Sequence, residues 1–429
     1  MSVIGIVAEY NPFHEGHRYQ MEQAKALLGA EGVVVAMSGD FVQRGEPALL
    51  SKWERARVAV ECGADLVFEI PLRGCLGDAG IFGEAGVRTL LATGLVTHMS
   101  FGSEAGELSI LFRAAKRMEN EEFQRELREA LDRGLSYPAA QESAYRKLYG
   151  ADAGEDLPVM RSPNDLLALS YLRALIRAAH ETGEEKLPLV PLPIRRKGAS
   201  YHENSLRKTF ASASGIRQAL FEGAPKESWG GFVPDTEIPS LLRVAPKLRE
   251  AEDRYFLMIQ GRLLTMDEKE AGERLDRYPS GGEGIGNRLR REAFFARSTE
   301  DLIKRAKSSR YTYTRISRLL AQTLLDLPRK EDAPQDHGTQ PSYLKLLAAS
   351  SRGRRMLRER KKEQDPGLPI LTNESRQSEL LTEEGLLQRR ESVRASNIRN
   401  LLYREDLYAA SDYVSHPYLA DDEETDPKC

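Results

Sequence analysis

The chain has 429 residues, 41% of them hydrophobic and 30% charged, with a formal net charge of −3. This composition excludes a disordered chain, a collagen-like fibre and a membrane protein, since no window approaches the roughly 18 consecutive apolar residues of a spanning helix. Cys62, Cys75 and Cys429 are scattered thiols, which excludes a disulfide scaffold or a zinc ribbon, and a nucleic-acid role must rest on local basic patches.

The length predicts two or three domains at about 150 residues each. The start, Met1 to Ala8, has no basic stretch before its apolar run, so the expected location is cytoplasmic. Val3–Ala8 reads as a strand, Gly16–Leu28 as a helix and Val33–Met37 as a buried strand. Lys52–Glu61 is helical, Asp65–Ile70 a strand, Gly83–Ala92 a helix and His98–Gly102 a strand. This alternation predicts βαβ crossovers and a parallel sheet, with ligands at the carboxyl ends of its strands. Glu104–Leu148 and Asn164–Ala179 read as helical, Leu187–Ile194 as extended, and Gly215–Phe221 as a helix start. Glu222–Pro234, rich in Gly and Pro, reads as a linker, placing the boundary between residues 1–225 and 226–429. Beyond it, Leu241–Met266 and Thr299–Leu325 read as long helices, Arg329–Pro341 as a loop and Ser342–Lys362 as a basic helix. Asp365–Leu371 reads as a short strand and Asp421–Cys429 as a disordered acidic tail. The fold class is thus α/β, followed by a mostly helical C-terminal region.

The strongest chemical signal is Tyr10-Asn11-Pro12-Phe13-His14-Glu15-Gly16-His17, directly after the first strand. His14 and His17 share one face of a first helical turn. A helix N-terminus presents unpaired N–H groups and about half a positive charge, which suits phosphate. Gly16 permits close approach of a base or ribose, and two imidazoles can donate to a phosphoryl group as charge develops on it. The plainer reading is that both histidines only cap a helix. Ser212-Ala213-Ser214-Gly215-Ile216-Arg217 forms a second turn, where Ser212 or Ser214 caps a helix and Arg217 reaches phosphates. Lys52 suits an acetate carboxylate, a phosphate or plain solvent. Asp40 suits Mg²⁺ or a turn, and Glu69 a hydrogen-bonded carboxylate at a strand end.

The HxGH pattern with this second turn resembles the nucleotidyltransferase superfamily, which implies a Rossmann-like domain over 1–225. Further runs are Ser38-Gly39-Asp40-Phe41-Val42-Gln43-Arg44-Gly45, Ser100-Phe101-Gly102-Ser103-Glu104, Ser162-Pro163-Asn164-Asp165 and Ile194-Arg195-Arg196, followed by Tyr201-His202. Together these resemble the bacterial tRNA(Met) cytidine acetate ligases over nearly the whole chain. The resemblance implies activation of acetate by ATP as acetyl-adenylate, then acetylation of N4 of the wobble cytidine of elongator tRNA(Met). It implies an ATP site of Val7, Ala8, Glu9, Tyr10, Asn11, Pro12, Phe13, His14, Glu15, Gly16, His17, Arg18, Tyr19, Gln20, Gly102, Asn164 and Arg196, with Ser214 beside them. His14, His17 and Arg217 are the expected catalytic groups. Mg²⁺ is expected with ATP, with no protein metal site assigned. The expected tRNA surface is Lys307, Arg310, Tyr311, Arg315 and Arg318, read as the basic side of an amphipathic helix. Arg352 to Lys362 is a second basic stretch. Two rival functions are a small-molecule adenylyl- or cytidylyltransferase, and an RNA-binding protein that only senses ATP.

Overall fold

The computed structural model describes residues 2–150, 154, 156–196, 211–328, 338–363, 367–373 and 378–421. Tyr201-His202, most of the 329–341 loop and the acidic tail after Asp421 lie outside the described residues. In chain order the strands are β1 (Val3–Ala8), β2 (Gly32–Ser38), β3 (Phe41–Val42), β4 (Glu46–Pro47), β5 (Leu66–Ile70), β6 (His98–Ser103), β7 (Val190–Arg195), β8 (Leu344–Ala349), β9 (Ile370–Leu371) and β10 (Tyr418–Leu419). The main sheet runs β10-β8-β5-β2-β1-β6-β7, with β9 beside β8, and β3–β4 form a separate hairpin. From β5 to β7 all neighbours are parallel. The order reverses on either side of β1, so the crevice at the carboxyl ends of β1 and β6 is the switch point where doubly wound sheets bind ligands.

All seven residues of β2 are buried, which is why it reads as a continuous apolar run rather than an alternation. Val33, Val35 and Met37 face Met21 and Ala24 of the helix Glu15–Leu28. Val34 and Ala36 face Phe82, Val87 and Leu90 on the other side. Helices on both faces are what a parallel sheet needs to bury both surfaces.

Three expectations for the C-terminal half need correcting. Ser342–Lys362 is not one helix: Leu344–Ala349 is β8, all six residues buried and paired antiparallel to β5, and the helix begins at Ser351. The segment LKLLAA has good helix formers, but the open edge of β5 supplies hydrogen-bond partners and burial that override weak propensity. The stretch 222–234 is not an open linker. It holds the helical turns Lys226–Trp229 and Gly230–Phe232 and buries Trp229 in a core with Phe41, Leu49, Leu72 and the C-terminal helices. The two long helices are also broken. Pro246 marks a 3₁₀ turn between Ile238–Val244 and Leu248–Leu264, and Thr299–Ala306 is separated from Tyr313–Leu324. Among the described residues no helix is long and apolar enough to cross a membrane.

Candidate active site

Strand β1 ends beneath the switch point and runs into a loop, residues 9–13, that is held from four sides. Asn11 accepts from Leu49 N–H at 2.8 Å through its side chain and from Arg217 Nη1 at 2.6 Å through its carbonyl. Arg55, fully buried, donates to the Glu9 carbonyl, and Phe13 N–H donates to Glu237 Oε1 at 3.2 Å. Tyr10 takes a left-handed φ of 48° and packs edge-on against Phe13 and His17 at 4.7 and 4.8 Å.

The two histidines then cap the helix Glu15–Leu28 reciprocally. His14 Nδ1 accepts from Gly16 N–H at 3.0 Å, and His17 Nδ1 accepts from His14 N–H at 3.2 Å. Their rings stack at 3.7 Å and 21°. A neutral imidazole that accepts at Nδ1 carries its proton at Nε2, so each ring keeps one N–H donor for a ligand. Burial holds both neutral: the His14 pKa falls to about 3, helped by the Arg196 charge. His17 falls well below the ordinary value through burial, then His14 and Arg196. Capping and ligand binding are therefore not competing readings, because different ring nitrogens serve each. Gly16 also has a structural reason. A Cβ there would stand 2.9 Å from His14 Cε1, so glycine makes room for the folded-back ring.

A cavity of about 200 Å³ opens above this turn. It brings together Val7, Ala8, Glu9, Tyr10, Asn11, His14, His17, Gln20, Gly102, Asn164, Arg196, Ser214 and Arg217 from five separate regions of sequence. Gly16 and Tyr19 line a smaller adjoining hollow, with Arg195 at its mouth. Pro12, Phe13, Glu15 and Arg18 do not line either space: Pro12 and Phe13 are buried, while Glu15 and Arg18 pair with each other at 2.8 Å. On the far side Arg196 Nη1 donates to Asn164 Oδ1 at 2.9 Å, and Asn164 Nδ2 donates to Glu104 at 2.6 Å. Glu104 also accepts from the N–H groups of Asn164 and Asp165, capping the helix Pro163–Thr182. Asp165 in turn accepts from Ser103 Oγ and from the Glu104 and Ala105 N–H groups. The end of β6 and the start of that helix thus exchange carboxylates, which fixes Asn164 and Arg196 over Gly102. Ser212, not Ser214, caps the helix Ala213–Phe221, leaving Ser214 on the cavity wall.

Lys52, Asp40 and Glu69 are not ligand groups. Lys52 is fully buried and donates to Glu69 at 3.0 Å, Asp412 at 2.7 Å and Ser392 at 2.9 Å. Asp40 accepts from Lys52 N–H and Ser396 Oγ at 2.8 and 2.7 Å, so it is not placed for Mg²⁺. Among the described residues no group of three His, Cys, Asp or Glu is set to hold a metal ion. Sequence reasoning missed the apolar wall of Phe82, Phe101, Leu167 and Tyr171 and gave no role to Gln43, while Arg44, expected with Asp40, Lys52 and Arg55 to face the strand ends, does line the cavity. Gln43 N–H donates to the half-buried Glu9 carboxylate at 2.7 Å, tying the β3–β4 hairpin to the cavity floor. Burial raises the Glu9 pKa, offset by that N–H and by Arg44.

The expected RNA face is dispersed. Tyr311 is buried, with its hydroxyl donating to the Gly282 carbonyl. Arg315 donates to the Ser280 and Gly281 carbonyls at 3.0 Å each and lies 4.3 Å from the Tyr311 ring. Arg318 is buried against the β3–β4 hairpin, and Arg310 pairs with Glu283 at 2.5 Å. Lys307 is exposed. The run 307–312 is a turn closed by Ser308 and Tyr311, so these residues never share one helix face.

Among known proteins, residues 1–412 match the family model described as HIGH Nucleotidyl Transferase. A tRNA(Met) cytidine acetate ligase of Caldanaerobacter subterraneus subsp. tengcongensis is 32% identical over 421 residues, covering 98% of this chain and 100% of its own. Its counterpart in Acetivibrio thermocellus is 34% identical over 370 residues, 84% of this chain and 86% of its own. The apo crystal structure of Thermotoga maritima TmcAL is similar with a TM-score of 0.86 at 28% identity, covering 98% of this chain and 99% of that one. The same protein bound with alpha-thio ATP gives 0.84 at 27% identity, with the same coverage.

Proposed function

The chain belongs to the HIGH nucleotidyl transferase family and, within it, to the tRNA(Met) cytidine acetate ligases, and from that premise we propose how its site carries out the reaction. The substrates are ATP, acetate and elongator tRNA(Met), and the setting is cytoplasmic. ATP lies with its triphosphate over the start of the helix Glu15–Leu28. An acetate oxygen bonds to the α-phosphorus, and the bond to the pyrophosphate oxygen breaks, with the electron pair leaving on pyrophosphate. N4 of cytidine then bonds to the acetyl carbon, the carbon–oxygen bond to AMP breaks, and the N4 proton is released.

The observation that carries this reading is the reciprocal histidine cap. It supplies two neutral Nε2–H donors beneath the phosphates, fixed before the substrate arrives, and preorganised donors of this kind are worth most where charge develops. Arg217, held by the Asn11 carbonyl, completes the phosphate side, and Arg196 with Asn164 serves the nucleotide. Mg²⁺ would come with ATP, where it would offset the negative charge of the triphosphate. The amine of cytidine is a weak nucleophile because its lone pair is delocalised into the ring, so the carboxylate must first become a mixed anhydride. Labour is divided along the chain: residues 1–225 hold ATP, and residues 226–429 meet tRNA. Acetate-dependent ATP–pyrophosphate exchange tests the first half-reaction. Exchange with a different acid, but not acetate, would overturn the substrate assignment.

A further inference from the structure

With Tyr311, Arg315 and Arg318 absorbed by the fold, the tRNA of the proposed reaction must meet other residues. The helix Ile285–Ala293 ends in Phe294 and Phe295, which are 59% and 62% exposed. Among the described phenylalanines these two alone are exposed. Two adjacent aromatic rings left in water at a helix end mark an interaction site rather than a packing remainder.

The rings rim a surface cavity of about 750 Å³. Its other walls include Arg288, Arg290 and Arg291, set against a single carboxylate, Glu268. Arg290 Nε donates to the Met266 carbonyl at 2.6 Å, and its guanidinium lies 5.6 Å from the Phe294 ring. Arg288 Nη2 donates to the carbonyls of Arg305 and Lys307 at 3.2 and 3.0 Å, which holds the exposed Lys307 beside the same cavity. The Arg288 Nε is buried without a hydrogen-bond partner. Arg291 pairs with its neighbour Glu292 at 3.0 Å and keeps 69% of its side chain exposed, so a phosphate can reach it from solvent. Rings for stacking beside an excess of guanidinium groups suit an unpaired nucleotide: every base has a π-face, and its flanking phosphates need cations. An apolar protein partner would not call for this excess of positive charge.

We propose that this cavity docks an unpaired nucleotide of tRNA, its base stacked on Phe294 or Phe295 and its backbone on Arg291 and Lys307. The proposal rests on the tRNA-ligase reading. The test uses the full chain and compares the parent with F294A/F295A and R291E, all outward-facing changes. Acetylation of tRNA(Met), direct tRNA binding and acetate-dependent ATP–pyrophosphate exchange are measured in parallel. The expected result for F294A/F295A is a tenfold or larger loss of tRNA affinity, with exchange within twofold of the parent and affinity restored by Phe→Tyr at both positions. R291E should flatten the log–log salt dependence of tRNA binding by about one unit. A parent that binds and acetylates tRNA alongside an F294A/F295A variant with unchanged affinity would overturn this surface and leave the ligase reading intact. A parent that exchanges pyrophosphate but binds no tRNA would overturn both. If the double substitution instead converts a dimer to a monomer, the face is a contact between copies and the proposal fails.

Discussion

His14 and His17 each serve the backbone with one nitrogen and the cavity with the other, so two substitutions at the same position separate the roles. His17→Asn keeps a side-chain oxygen that can accept from the His14 N–H but has no Nε2–H. Its exchange rate should fall about 10²–10³-fold while its melting temperature stays near the parent value. His17→Ala should lose the same rate and also about 1 kcal/mol of cap stability. A His17→Asn enzyme within a few-fold of the parent would remove the histidine from catalysis. The same burial sets a pH signature. Folded His14 and His17 titrate far below the ordinary value, so below about pH 6.5, and for His14 down to about pH 3, the unfolded chain binds more protons. Stability from this pair is full above 6.5 and declines as pH falls, by up to about 1.4 kcal/mol per pH unit for each histidine. Glu237 has the opposite sign. Burial raises its pKa to about 8, against the N–H of Phe13 that would lower it, and its second oxygen lacks a partner. The folded state keeps that proton between about 4.5 and 8 while the unfolded chain loses it, so the residue costs stability as pH rises. Urea melts at pH 5 and pH 8 should show Glu237→Gln gaining on the order of 3 kcal/mol at the higher pH and little at the lower. Equal gains at both would mean the carboxyl is ionised throughout.

The β3–β4 hairpin is the element through which the helical half reaches the cavity. Gly45 takes a φ of 81°, and a Cβ there would stand 2.3 Å from the backbone nitrogen of Arg318. Its carbonyl accepts from Ser317 Oγ at 3.1 Å and Tyr255 hydroxyl at 3.3 Å. Gly45→Ala should therefore force the hairpin off the helix Tyr313–Leu324, and both exchange and acetylation should fall together with stability. Charge reversal at Arg315 and Arg318, which on a helical-face reading of the sequence would spare exchange, should now abolish both activities, because Arg315 holds the Ser280 and Gly281 carbonyls and a carboxylate at 318 would be buried. Reversal at exposed Lys307 should weaken tRNA binding alone. Retention of exchange in the double reversal would restore the helical-face reading. The contrast shows what sequence can carry. The parallel strands, the HxGH turn and the second turn at Ser212 were legible because each is a local pattern: an apolar run, a cap, a glycine. Gln43, Phe82 and Tyr171 were not, since only the crossover connections bring them to the same cavity. Arg315 read as an RNA-facing cation and Lys52 as a ligand or surface cation because nothing local announces carbonyls or carboxylates supplied from tens to hundreds of residues away.

At the scale of the molecule, a buried ionic knot joins the sheet to the last helix. Lys52 and Lys345 share Asp412 at 2.7 and 2.8 Å, Lys52 reaches Glu69, and Ser396 bridges Asp412 to Asp40. Burial alone would raise the Asp412 pKa, but Lys345 and Lys52 hold it below the ordinary carboxylate range. Asp412→Asn leaves two buried ammonium groups short of a countercharge and should cost about 3–5 kcal/mol in denaturant melts, the usual penalty for breaking such a pair from one side. A loss under 1 kcal/mol would show the knot to be hydrated. The knot also accounts for what neither half shows alone: β8 and β10 close a sheet that the first 225 residues leave open beside β5. That closure has a consequence for how the protein is made. On the ribosome β5 emerges first, and its partner β8 follows roughly 270 residues later, a delay of about 15 to 55 s at ordinary rates of synthesis. Throughout that interval the nascent chain presents a bare strand edge and a Lys52 that has Glu69 but not yet Asp412 as a countercharge, so its demand for chaperone protection should peak in the middle of translation and end only as the last hundred residues emerge.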